Sequence, residues 1–200
     1  MNQAIWAGLL ASFVAGGIGT AAGASGVFVF RQLSARMEDA LLSVAAGIML
    51  AATFFSLLLP ALEHAEALTH STFAGVLLVS SGILLGAIGL WLLHQHLPHE
   101  HFITGNDNEM ASKMRKIWLF IMAITLHNFP EGMAVGVAFA GSNSANGISL
   151  ATGIGLQNLP EGLAVAASLL AINYSRFNAF VIAALPGLVV PVGGLLGASL

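Results

Sequence analysis

The chain has 200 residues, 57% of them hydrophobic and only 8% charged, with a formal net charge of -3 and no cysteine. A soluble domain would carry about 25% charged residues, so an ordinary soluble domain is excluded. The missing cysteines also exclude thiolate chemistry, disulfides and cysteine-based zinc sites.

A mean hydropathy of +0.88 points to an all-α fold, a polytopic bundle of membrane helices. No Lys or Arg precedes Arg31, so the basic start of a cleaved signal peptide is not expected, and the opening apolar run is too long for one. Six apolar runs have spanning length, at about 4–30, 39–62, 72–93, 117–140, 147–171 and 178–200, judged against the roughly 20 residues that a bilayer needs. The first is rich in glycine, and Gly19-xxx-Gly23 is a close-packing pattern for membrane helices. Gly82-xxx-Gly86, Gly132-xxx-Gly136 and Gly193-xxx-Gly197 repeat it, so tight packing is expected at nearly all of these glycines.

The connections sort by charge. The first (Arg31, Arg36), third (Lys113, Arg115, Lys116) and fifth (Arg176) hold every basic residue, whereas the second is acidic and the fourth neutral. The positive-inside rule then places the odd connections in the cytoplasm and the amino terminus outside. The second span ends near Glu63, Glu66 and His70, which reads either as a cation-attracting mouth or as a solvated helix end. The third connection, residues 94–113, carries His94, His96, His99 and His101 with Glu100, Asp107 and Glu109. Such a tract can bind metal transiently, or it is a plain polar loop. It matches no zinc-protease signature.

One motif is written twice. His127-Asn128-Phe129-Pro130-Glu131-Gly132-Met133-Ala134-Val135 and Gln157-Asn158-Leu159-Pro160-Glu161-Gly162-Leu163-Ala164-Val165 agree at six of nine positions and start thirty residues apart. A carboxylate in a span costs about 2.5–3.5 kcal/mol on insertion scales, and no Lys or Arg lies within the six runs to pair with either. On a helix, positions i and i+4 share a face, so His127 joins Glu131 and Gln157 joins Glu161, with Asn128 and Asn158 beside them. If the fourth and fifth spans pack together, these nitrogen and oxygen donors form a metal site suited to zinc, iron(II), manganese or cobalt. Pro130 and Pro160 are expected to kink their helices and free the carbonyls of Leu126 and Leu156.

This doubled motif, with the His-rich loop and the outside amino terminus, resembles the signature of the ZIP family of divalent-metal transporters across the whole chain. The resemblance implies a single transmembrane domain over residues 1–200 that carries zinc, or iron, manganese and cobalt, into the cytoplasm without catalysis and without a catalytic cofactor. It implies that His127, Glu131, Gln157 and Glu161 are ligands of a principal site, with Asn128 and Asn158 facing a neighbouring second one. The partners it implies are divalent metal ions and the lipid bilayer, not nucleic acid; a homodimer is compatible with it. Two departures accompany it. Family members are built on eight spans, so a seventh and eighth are expected to be missing here. Val190 stands where many members carry a Glu, so one ion is expected rather than two. Two other readings are an intramembrane metalloenzyme and a metal-binding subunit that does not transport.

Overall fold

The six apolar runs become six helical rods. The computed structural model describes residues 2–30, 33–96, 109–141 and 144–199. The first helix joins Asn2–Ser12, a π segment Phe13–Ile18, Gly19–Ala24 and a closing 3-10 turn Ser25–Phe28. The second joins Ala35–Ala52, a π segment Thr53–Leu58 and Leu59–Thr69. The third, fourth and fifth are Thr72–His96, Glu109–Ala140 and Ser144–Ala171. The sixth joins Arg176–Ala184, a 3-10 turn Leu185–Leu188 and Val189–Ser199. No strand occurs among the described residues. The protein is an all-α, polytopic helical bundle.

Two boundaries lie beyond their expected places. The second helix runs on to Thr69 and the fourth begins at Glu109, because the charged residues there (Glu63, Glu66, Lys113, Arg115, Lys116) are good helix formers. A helix that leaves the apolar layer needs no change of backbone, so charge alone does not mark its end. Side-chain caps mark other ends. Ser34 Oγ accepts from the Met37 N–H and Ser175 Oγ from the Asn178 N–H, at 3.3 and 3.2 Å, each satisfying a donor that the first turn leaves free.

The first, second, third and sixth helices are long and apolar enough to cross a membrane by length and composition. The fourth and fifth are long enough too, but they hold the doubled motif, whose Asn, Gln, Glu, His and Pro lower their mean hydropathy.

The core of the bundle is built from the first, fourth, fifth and sixth helices, which touch at glycines. A side chain at Gly132 would overlap the Val190 carbonyl, one at Gly136 the Gly194 carbonyl, and one at Gly197 the Met133 carbonyl. Gly23 meets the Leu159 carbonyl, and Gly162 meets that of Thr20. Without these glycines the backbones could not approach so closely, and in lipid such packing carries the association. The expectation for Gly82-xxx-Gly86 is corrected: neither glycine has any atom within 4 Å of where a side chain would sit. The third helix is apolar all round and packs chiefly against the end of the second, leaving Gly82 and Gly86 on its open surface.

Pro130 and Pro160 lie inside their helices and donate no N–H to the carbonyls of Leu126 and Leu156. Both helices continue unbroken through Pro130 and Pro160. Irregular turns occur in the neighbouring helices, at Phe13–Ile18, Thr53–Leu58 and Leu185–Leu188. Pro186 sits within the last of these and Pro60 just after the second. A π turn lets one carbonyl slip out of the ladder, and such turns are frequent at functional sites.

Hydroxyl groups inside the spans are mostly satisfied locally. Thr125, Thr152 and Ser168 each donate to the carbonyl four residues back, at 2.7 to 2.9 Å, which leaves no hydroxyl proton unmatched in lipid.

Candidate metal centre

The doubled motif behaves differently. Asn128, Gln157 and Asn158 are 0% exposed, Glu161 4% and Glu131 9%. The i, i+4 spacing places His127 Nε2 at 3.0 Å from Glu131 Oε1. From the fifth helix, the Gln157 amide donates to that same carboxylate oxygen. One carboxylate oxygen therefore ties the two copies of the motif together across the helix interface. Glu161 lies close enough to Glu131 and His127 for their charges to interact.

A cavity of about 170 Å³ opens onto this group, lined by His127, Glu131 and Gln157 together with Met49, Thr53 and Leu57 of the second helix. Met49 and Thr53 were not anticipated from the sequence. A methionine and a threonine one turn apart in an apolar run look like ordinary packing, and only the second helix's position against the fifth brings them here. A larger cavity of about 600 Å³ lies elsewhere, an apolar groove between the first and fifth helices that includes none of the six motif side chains.

Not all six residues face one point. Asn158 Nδ2 donates to the Ala15 carbonyl at 3.1 Å, within the π segment of the first helix. Glu161, Asn128 and Asn158 do not line the cavity at His127. Among the described residues no three His, Asp or Glu side chains form a ready-made ligand cluster. The close set is one His, one Glu and one Gln, with the second Glu buried behind them.

The polar atoms left without partners are the sharpest feature. The buried side-chain atoms without a hydrogen-bond partner include Glu131 Oε2, Glu161 Oε2, Gln157 Oε1, Asn158 Oδ1 and both polar atoms of Asn128. Outside the six motif residues, Thr20 Oγ1 is the one such atom among the described residues. These are nearly all acceptors. Buried acceptors without donors are costly in protein, and still more so at membrane depth. A divalent cation is the partner that such a set fits, and the oxygen and imidazole chemistry suits zinc and related borderline ions.

Other expected residues fall elsewhere. Glu66 accepts a hydrogen bond from the Thr72 hydroxyl, and His70 closes the second helix in the left-handed conformation at φ 51°. These two build the turn into the third helix, and with Glu63 they are exposed. His99, Glu100, His101 and Asp107 lie outside the described residues, as do the side chains of His94 and His96. Val190 is 0% exposed, and its side chain rests on Gly16 of the first helix.

A bundle of membrane-length helices with buried carboxylate, imidazole and amide donors at its centre defines an integral membrane protein of the metal-handling class. Residues 92–200 match the family model described as ZIP zinc transporter. The chain is 42% identical to the zinc transporter GufA of Myxococcus xanthus, covering 96% of this chain and 75% of that protein. It is 41% identical to the zinc transporter ZIPB of Bordetella bronchiseptica, over 93% of this chain and 60% of that one. Similarity extends to human zinc transporter ZIP11, at 30% identity over 98% of this chain and 81% of the relative. The chain belongs to the ZIP family, a family of membrane carriers rather than enzymes.

Proposed function

We propose that the protein carries divalent metal ions, zinc foremost and iron, manganese or cobalt by the same chemistry, across the membrane into the cytoplasm. The route runs through a buried site between the fourth and fifth helices. His127, Glu131, Gln157 and Glu161 are its ligands, and Asn128 and Asn158 border it. The ion is cargo, not a cofactor. The amino terminus lies outside and the His-rich loop in the cytoplasm, an orientation supported by the distribution of basic residues.

The observation that carries this reading is the set of buried, partnerless acceptors confined almost wholly to the six motif residues. Structural residues would be satisfied, as Thr125, Thr152 and Ser168 are. The names of the relatives favour zinc as the first ion to test. The test is uptake of zinc into sealed vesicles holding the purified protein. Glu131→Ala and Glu161→Ala should each remove most of the uptake while the protein stays in the membrane, because losing a buried carboxylate also relieves an insertion cost. Uptake at the parent rate in either variant refutes the assignment. Zinc binding without any uptake by the parent chain would instead favour a binding subunit that does not transport.

A further inference from the structure

The second helix lines two cavities in succession. The inner one is that of the metal centre. The outer one, of about 310 Å³, is bounded by Ser56, Leu57 and His64 of the second helix, Val137 and Ala138 of the fourth, Gly141 just past its end, and Asn146 of the fifth. Leu57 borders both cavities, so the outer chamber adjoins the chamber of His127 and Glu131 across one side chain.

The polar atoms of the outer chamber are of metal-binding type. His64 and the Asn146 side chain have no hydrogen-bond partner among the described residues, His64 being exposed and Asn146 half-buried. Ser56 is 6% exposed. Its hydroxyl lies 3.1 Å from that of Ser149, and a hydroxyl in one such contact keeps a lone pair free. Imidazole nitrogen with amide and hydroxyl oxygens is a donor set for borderline divalent ions. The electrostatic setting agrees with this. The end of the second helix carries Glu63 and Glu66, and neither it nor the connections at this end of the second, fourth and fifth helices hold a Lys or Arg, so local potential favours cations.

We propose that His64, with the side-chain oxygens of Asn146 and Ser56, forms an outer capture site for a divalent metal ion, one step before the centre at His127 and Glu131. Its place on the route rests on the function proposed above; its existence as a binding site does not. With no carboxylate among its donors it binds weakly, which suits a relay: an ion must be held well enough to enter and loosely enough to move on.

The absence of cysteine makes the test clean. Ala61 is exposed and lines the same chamber, so Ala61→Cys places a single thiol there. In the purified full chain, the rate at which a thiol reagent modifies it is measured with and without zinc ions alone. Zinc should slow modification severalfold. The protection should persist when Glu131→Ala is added and disappear when His64→Ala is added. Three results overturn the proposal: no protection by zinc, protection that survives His64→Ala, or protection lost with Glu131→Ala, which would mean that the inner ion shields the thiol. The last two leave the proposed inner centre standing, and failure of that centre in the uptake assay leaves the protection experiment intact.

Discussion

Glu131 is the residue on which both copies of the motif converge, touched by His127 from its own helix and by Gln157 from the next. A carboxylate held this way still has one oxygen without a partner, the arrangement expected of a ligand waiting for an ion. Protons compete with metal at such a centre, because imidazole and carboxylate ligands must be deprotonated to bind. Zinc affinity should therefore fall on acidification from about pH 7.5 to about pH 5.5. Calorimetry at the two values checks this, and a flat profile would exclude His127 as a ligand. Charge also limits the number of ions. Glu131 and Glu161 balance one divalent ion, and a second alongside would leave about two uncompensated charges in a low-dielectric region. The parent should bind one ion at this centre. Val190→Glu adds a third carboxylate, but in a fully buried position against Gly16. Unpaired there it should destabilise by about 3–5 kcal/mol, and zinc should restore more of the unfolding temperature than it does in the parent. A variant that gains neither a second ion nor extra zinc stabilisation would show that Val190 does not set the ion count.

At the scale of elements, the fourth and sixth helices hold the centre in place by meeting backbone to backbone. Gly132→Leu would drive a side chain into the Val190 carbonyl, and Gly136→Leu into that of Gly194. Backbone cannot swing aside as a side-chain tip can, so each should lower stability by about 1–3 kcal/mol or more. Gly82→Leu and Gly86→Leu meet open space on the third helix and should be near neutral. Thermal unfolding in detergent compares the four. Equal losses at both pairs would mean that the open surface of the third helix is itself packed in the membrane. The π segments belong at this scale too. Thr53–Leu58 carries Leu57, the side chain bordering both chambers, and Phe13–Ile18 presents the carbonyl of Ala15 to Asn158.

For the whole molecule, the buried centre and the His-rich loop make unequal contributions to transport. An ion in a solvated loop is not held through the membrane, so in the proposed topology His94, His96, His99 and His101 would be secondary contacts only. Replacing all four with alanine should change the uptake rate modestly and leave transport intact. Complete loss in sealed vesicles, at normal expression, would reverse that ranking.

Helix number, approximate span positions and the burial of polar side chains at the doubled motif were legible from the residues alone. Apolar length and buried charge are local costs, and a bilayer enforces them on each segment separately. The pairing of His127 with Glu131 was legible for a similar reason, since helical periodicity alone puts them on one face. What remained undetermined depended on which helices touch. The same small-xxx-small spacing packs backbones at Gly132 and Gly136 but faces open space at Gly82 and Gly86, because a pattern shows that a helix can pack closely and not what it packs against. Met49, Thr53 and His64 gained their places from the second helix lying beside the fifth. The irregular turns at Phe13–Ile18 and Thr53–Leu58 were likewise not anticipated from the residues. Where a membrane helix can leave regular α geometry depends on the neighbours that take up its freed backbone groups, and those are set only when the bundle has assembled.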